Sequence, residues 1–515
     1  MKSQHRQFGR RLGSLVTQGS GIFQDLSGHE RRIAGRLLPR TAGEVVRIVR
    51  SARQFGVSLH TVSCGRNWGF GSSLPAVDDA WLVDLHLMTK IRSFDDESGT
   101  VVLEPGVTQG QLSHHLIKEG NRWLFNVTGA GDSTSVLGNA LERGIGYFGQ
   151  RHLDLIDLEI VSGTGEIVST CLGNQHLQSF PAPLGCDATG LFLQSALGVV
   201  IQARLRLIRR AEGNGVVMAR LKSPKHSARF FDRILELKRD DIISGVPHVA
   251  NHPRLTTTML PWLKAQDRDR FLSNAPAWTA ALPILGNREL ATARHQTIER
   301  ALAKISTLEV FLGQSVEFKP DEPSPLEQFK QLASGYPSNL ALPGVQWCAL
   351  KKADLTHLDP EKTKAGLIHI TPAVASSRCE IHRALTVVQN TAKSLALEPL
   401  PITVNIVNAR LSVLVISLPF KRPDRSAHQK AAILQDALRC AGFRPYRVGL
   451  DFASHASGYS RSSIDLLQRL KDALDPQGVF AASKYELGAL QSSGRAPNRL
   501  PDWDDVSGFS LLEAA

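Results

Sequence analysis

The chain has 515 residues, 42% hydrophobic and 21% charged, a balance that suits a globular protein of two or three domains and excludes a disordered or collagen-like one. No run of about 18 apolar residues occurs, so the sequence offers no candidate membrane span. The formal net charge is +12, but the arginines and lysines are scattered and accompany no recognition motif, so the charge is read as favouring anionic small ligands rather than nucleic acid.

The N-terminal stretch MKSQHRQFGRRLGSLVTQGSGI is basic and lacks the apolar core of a secretory signal. The expectation is a cytoplasmic protein with a flexible basic arm over residues 1–27. Cysteines at 64, 171, 186, 348, 379 and 440 form no CxxC pair and no zinc-like spacing, which argues against a disulfide framework or a metal site. Pro39 marks the entry into a first α/β lobe. From Ala42 to Phe55, Val45, Val46, Ile48, Val49, Ala52 and Phe55 give one apolar face and predict a helix.

A short strand, Val57 to Val62, then feeds the run TVSCGRNWGFGSS from Thr61 to Ser73. Closely spaced glycines let the backbone turn sharply and present successive N–H groups to one anion. The run is read as a pyrophosphate cradle, with Ser63, Cys64, Gly65, Arg66, Asn67, Trp68, Gly69 and Gly71 as cofactor-binding residues. Two β-rich runs follow, Trp81 to Leu85 and Thr100 to Leu103. The glycines therefore open onto a strand, whereas a Rossmann unit needs them between a strand and a helix.

Thr108 to Gly120 reads as a helix, with His114 and His115 as surface and half-buried helix residues rather than ligands. NVTGAGDSTSVLGNALERGIGY, from Asn126 to Tyr147, is a second glycine- and hydroxyl-rich loop running into a helix near Ser135, again an anion seat. It adds Thr128, Gly129, Ser135, Gly138 and Asn139 to the cofactor-binding set. Gly144, Gly146 and Gly149 spell GxGxxG, but after a helix and before a strand, the reverse of the nucleotide order, so the match is read as accidental. The sequon Asn126-Val127-Thr128 is read as chance. Asp154 to Ser162 and Ile167 to Thr170 form a hairpin, and Gly190 to Leu207 breaks from helix to strand at Gly198. Further on, longer helices (Ser227 to Asp240, Asn287 to Leu302, Ser377 to Ala396, Ala427 to Ala441) alternate with strands (Leu367 to Thr371, Ile402 to Val407, Leu411 to Leu418), which predicts a separate α+β cap domain. Ser492 to Pro501 reads as a loose tail.

Four motifs, GRNWGFG, LEPGVTQGQL (Leu103 to Leu112), SVLGNALERGIGY (Ser135 to Tyr147) and ALDPQGVFAASK (Ala473 to Lys484), occur in the order seen in the FAD-linked vanillyl-alcohol oxidase and p-cresol methylhydroxylase family, which the chain resembles. The resemblance implies an α+β, two-lobed FAD-binding PCMH-type domain over 28–212, a substrate or cap domain over 213–445, and a C-terminal segment, 446–515, that returns to the FAD domain. It implies that Gly198 and Val199 run along the flavin, that Lys484 contacts it, and that Tyr147 lies near it. Adjacent Tyr446 and Arg447, in FRPYRVGLD, match a pair that holds a phenolic oxygen; arginine favours the ionised phenol and tyrosine adds a hydrogen bond. The alternative for Arg447 is a surface ion pair with Asp451. A tyrosine that supplies a third donor in the family is here Phe70, read as substrate-binding.

Asp132, the carboxylate of VTGAGDSTS, matches an aspartate beside the flavin and is the candidate catalytic base, with a helix N-cap as the alternative. Leu367 falls where the vanillyl-alcohol branch has its flavin-bonding histidine, so FAD is expected to be non-covalent. His369, two residues on, leaves a covalent link open; Cys64 and His60 read as packing residues. The function implied is an FAD-dependent oxidoreductase that removes a hydride from a benzylic, allylic or alcoholic carbon of an aromatic substrate, para-substituted phenols included. Oxygen or a redox protein accepts the electrons, and the protein is expected to be a homo-oligomer, a dimer. An oxidase of a sugar acid or lactone on the same fold, and a flavin-free binding protein that keeps it, are the alternatives.

Overall fold

The helix Ala42–Phe55 starts on Thr41, whose hydroxyl accepts the Glu44 N–H, and stops at Gly56 in the left-handed region, so both ends are set by local chemistry. Its buried face, Val45, Ile48, Val49 and Ala52, covers a four-stranded sheet ordered Val16–Gln18, Gly35–Leu37, Trp81–Asp84, Leu59–Val62. The last three strands are parallel, and Trp81–Asp84 is buried throughout, as expected of a parallel strand covered on both faces. The computed structural model describes residues 3–171, 186–312, 330–356, 358–450, 461–481 and 484–485. Asp451 and the segment Ser492 to Pro501 lie outside the described residues.

The N-terminal residues depart from the expected flexible arm. Ser3–Leu12 is a helix whose Phe8 and Leu12 are fully buried, and the Phe8 ring meets Trp81 edge-on at 4.9 Å. Val16–Gln18 then pairs with Gly35–Leu37. The arginines that made this stretch look like a solvated arm occupy the outer face of an amphipathic helix.

A second sheet of the first lobe is antiparallel, ordered Ile167–Ser169, Leu155–Val161, Val199–Arg206, Thr100–Leu103, Ile91–Asp95. Gln109–Lys118 packs against it, opened by a capping box between Thr108 and Gln111. The cap is one eight-stranded antiparallel sheet: Ser306–Leu312, Gly215–Leu221, Trp278–Ile284, His248–Asn251, Ile402–Ile406, Leu411–Lys421, Ala365–Ala375, Arg444–Arg447. Helices Ser227–Arg239, Arg288–Leu302, Arg378–Ser394 and Arg425–Cys440 bury its far face through Val249, Val404, Ile416 and Ile370. Because strand side chains alternate, His369, Ser417, Thr403 and His248 share the opposite face, where Met218 and Ala281 join the core of the first lobe.

Tyr446 and Arg447 do not begin the return to the first lobe. They end the cap sheet, with Arg447 paired to Thr371, because the strand Ala365–Ala375 leaves an open edge there. The chain rejoins the first lobe later, where Leu59 N–H donates to Val479 O at 2.8 Å and Ala481 N–H to Leu59 O at 2.8 Å. Among the described residues no helix is long and apolar enough to cross a membrane.

Candidate active site

The strand Leu59–Val62 ends in a turn whose backbone favours glycine at three positions: φ is +65° at Gly65, +76° at Gly69 and +105° at Gly71. The Phe70 and Ser72 N–H groups fold back onto Asn67 O at 3.0 and 3.1 Å. The N–H groups of Gly65, Arg66, Asn67, Trp68 and Gly69 donate to no protein acceptor among the described residues. A concave run of free backbone donors is an anion nest. Across from it, Ser135 caps the helix Val136–Leu141: its Oγ accepts the Gly138 N–H at 2.8 Å and donates to Pro105 O at 2.6 Å. A Cβ on Gly138 would collide with Ser63 Oγ, so the helix start sits directly on the turn.

These loops line a cleft of about 1360 Å³, open mouth included, which reaches Gly198, Phe480 and Lys484. Ser63, Cys64, Gly65, Arg66, Asn67, Phe70, Gly71, Ser135, Gly138, Asn139, Gly198, Arg447 and Lys484 all line it. Buried in its wall, Asn139 Oδ1 has no hydrogen-bond partner among the described residues. The donor nest, the elongated cleft and a waiting acceptor fit a dinucleotide such as FAD.

At one end of the cleft, charge is concentrated on Glu142. Lys484 Nζ lies 3.3 Å and Arg447 Nη2 3.6 Å from its carboxylate, and Tyr485 donates to it at 2.8 Å. Burial pushes the Glu142 carboxyl up, but the Lys484 and Arg447 charges and the Tyr485 hydrogen bond outweigh it and hold the group below its ordinary value. Arg447 is further fixed by Asn67 Oδ1 at 2.6 Å, and its guanidinium lies 4.2 Å over the Phe70 ring. Lys484 donates to Phe70 O at 2.9 Å. The result is two cations against one carboxylate around an aromatic face. Burial, with Lys484 nearby, drops His60 to about 4, so it faces the cleft neutral.

Other residues singled out from the sequence fall elsewhere. Strand alternation sends Tyr446 away from Arg447, and its hydroxyl accepts from Gln150 Nε2 at 2.8 Å. Tyr147 is buried and stacks on His248 with ring centroids 4.2 Å apart. Val199 is fully buried in the core of the first lobe. Trp68 packs with Leu26, Leu342 and Leu367, while the Arg66 guanidinium lies 5.3 Å from its ring. A Cβ on Gly69 would meet the His369 ring at 2.5 Å, so this glycine is required by the cap strand as much as by an anion. Thr128 N–H is held by Gln109 Oε1 at 2.9 Å, and neighbouring Gly129 is exposed.

Asp132 sits where the second loop meets the cap. Its N–H donates to Asn339 Oδ1 at 2.9 Å, and the N-cap role belongs to Ser135. Cys64 Sγ lies 3.7 Å from Gly106 O, and burial raises the thiol to about 11. His369 packs on Phe70 at 5.2 Å and shares a hydrogen bond with Ser417 Oγ at 3.1 Å; burial first, then Arg254 and Arg447, lower it to about 3. Sequence reasoning missed Glu142, Tyr485 and Arg254. Glu142 had one signal: a carboxylate at a helix C-terminus opposes the macrodipole and calls for nearby cations.

Fold and cleft together define an FAD-linked enzyme built on the p-cresol methylhydroxylase fold, and residues 33–170 match the family model described as FAD binding domain. The substrate-bound structure of p-cresol methylhydroxylase superposes with a TM-score of 0.81 at 17% identity, over 94% of this chain and 98% of that one. Among curated proteins, 1'-carboxy-chondrochloren decarboxylase of Chondromyces crocatus is 29% identical over 492 residues, 88% of this chain and 91% of that protein. The 4-cresol dehydrogenase [hydroxylating] flavoprotein subunit of Pseudomonas putida is 27% identical over 165 residues, 31% of this chain and 32% of its own length.

Proposed function

We propose that this enzyme oxidises an aromatic substrate by removal of a hydride from a carbon beside the ring, with O₂ or a redox protein as the final acceptor. The observation that carries the reading is the Arg447–Lys484–Glu142 cluster set around Phe70 at the end of the cleft. FAD, when bound, supplies the hydride acceptor. Gly65 to Gly69 and the Ser135 loop would hold its diphosphate. Arg447 and Lys484 supply fixed positive charge where negative charge develops, at no cost of reorganisation. Phe70 gives an apolar wall that excludes water. Asp132 is the carboxylate proposed to take a proton.

Leu367, in an apolar cluster with Leu26, Trp68 and Leu342, and His369, tied to Ser417, support a non-covalent cofactor. The reading is tested by anaerobic mixing of the FAD-loaded protein with para-alkylphenols, aryl alcohols and sugar acids. Bleaching of the flavin by the first two classes supports it, and bleaching by sugar acids alone moves the substrate to the other class.

A decarboxylating form of the same chemistry is a second reading, since a relative matched along most of its length is named a decarboxylase. In it a hydride leaves one carbon, the electron pair of the adjacent carbon–carboxylate bond closes the double bond, and CO₂ departs. The observation in this chain that favours it is Arg254, a guanidinium with no acidic partner among the described residues. Release of CO₂ in step with flavin bleaching tests it.

A further inference from the structure

Arg254 belongs to the helix His252–Met259, which follows the strand His248–Asn251 and is capped by Asn251. Its Nε donates to Thr403 Oγ1 at 3.1 Å and its Nη2 to Ser417 Oγ at 3.1 Å. An arginine has five N–H donors and cannot lose its proton, so three donors of a fixed cation meet no protein acceptor among the described residues. Four other part-buried arginines of the chain are compensated differently. Arg447 and Arg204 face carboxylates, while Arg210 and Arg422 donate to backbone carbonyls. Arg254 alone of these five has only neutral hydroxyls.

A part-buried charge without a counter-ion costs free energy that a bound anion would offset. Burial pushes the guanidinium down from its ordinary value, and Cys348 is the one side chain that offsets it. A chain of side-chain contacts links the residue to the cleft through Phe70. Ser417 Oγ, which accepts from Arg254, shares its other contact with His369 Nδ1 at 3.1 Å. The His369 ring packs on Phe70, and Phe70 carries Arg447 on its face. Thr403, Ser417 and His369 all project from the side of the cap sheet that faces the first lobe.

We infer that Arg254, with Thr403 and Ser417 holding it, is the subsite for a carboxylate of the substrate, so that among aromatic substrates the enzyme prefers an aryl acid to its neutral counterpart. The inference rests on the aromatic-substrate reading for the rest of the ligand, but its test does not depend on turnover. FAD-loaded protein is titrated with benzoate, 4-hydroxybenzoate, 4-hydroxyphenylacetate and 3-(4-hydroxyphenyl)propanoate, each beside its neutral amide. Binding is read from the flavin difference spectrum and from the shift in melting temperature.

At least one acid should bind about ten-fold or more tighter than its amide, the scale of a charge-assisted fork. Arg254→Gln should erase that preference and leave amide binding unchanged, and Arg254→Lys should keep part of it. Melting of the unliganded variants shows whether each is folded; if Arg254→Gln is not, the lysine variant carries the comparison. Equal binding of every acid and its amide by the wild type, or a preference retained in Arg254→Gln, overturns the subsite. Anaerobic bleaching is recorded separately with 4-hydroxyphenylacetate and 3-(4-hydroxyphenyl)propanoate, the two acids that carry hydrogen on the carbon beside the ring, so that tight binding of either without bleaching counts against the hydride-removal reading and spares the subsite.

Discussion

Replacing Arg447 with methionine removes the charge but keeps most of the stem that lies on Phe70. Three contacts go: the 2.6 Å hydrogen bond to Asn67, the 3.6 Å ion pair with Glu142 and the cation over the ring at 4.2 Å. Loss of one preorganised donor in such a site costs roughly 100- to 1000-fold in rate, about 2.7–4 kcal/mol. Lys484 remains beside Glu142 at 3.3 Å, so the lower end applies. Substrate-driven flavin reduction, followed by anaerobic stopped-flow, should slow about 100-fold in Arg447→Met. Arg447→Lys, which keeps the charge without the fork, should recover part of it. The ground state also suffers, since the Arg447 side chain is only 14% exposed and Glu142 loses one of its two cations; a loss of about 1–3 kcal/mol in stability is expected, on the scale of a hydrogen-bonded charge. FAD content is measured in each variant to keep loading apart from rate. A variant with full FAD that reduces at the wild-type rate would refute the charge-stabilising role of Arg447.

Asp132→Asn should slow flavin reduction while melting stays within about 1 kcal/mol of wild type, because Ser135 and not Asp132 caps the helix; normal reduction would leave the enzyme without its proposed base. Acid precipitation should give a colourless pellet and a yellow supernatant, as Leu367 offers no atom for a flavin bond; a yellow pellet would point to a link through a residue such as His369. Three part-buried histidines make stability acid-sensitive. His60 and His248 sit at about 4 and His369 at about 3, below the ordinary 6.5, so the unfolded chain binds protons that the folded chain does not. Their contribution is fully present above about pH 6.5 and is lost as pH falls toward the folded values, at up to about 1.4 kcal/mol per pH unit for each. Denaturant midpoints measured from pH 7 to pH 4 should fall, and His369→Gln should flatten the fall; an unchanged slope contradicts a His369 that stays neutral in the folded chain.

What could be read from the chain was what local chemistry controls. The glycines of GRNWGFG announce themselves because positive φ at 65, 69 and 71 leaves few other residues possible. Thr108 and Gln111, three apart, spell the start of a helix, and the apolar face of Ala42–Phe55 spells its burial. What escaped depends on partners far away in sequence. Phe8 and Leu12 looked like part of a basic arm because Trp81, which Phe8 meets, lies in a strand much further on. Tyr446 and Arg447 were assigned to the returning C-terminal segment, although they pair in the cap sheet, because strand pairing has no local signature. Arg254 gave no signal at all: Thr403 and Ser417 lie 149 and 163 residues away, and only folding shows that no acid joins them among the described residues.

The proposed chemistry is departure of a carbon-bound hydride of an aromatic substrate within this cleft. It is tested most directly by single-turnover, anaerobic reduction of the bound FAD with an aryl substrate in normal form and in a form deuterated at the carbon beside the ring. Bleaching should be stoichiometric and should slow several-fold on deuteration, since the C–H bond breaks in that step. Bleaching at the same rate for both forms where reduction is the observed step, or no bleaching by any aryl acid, phenol or alcohol in an FAD-replete sample, would contradict it.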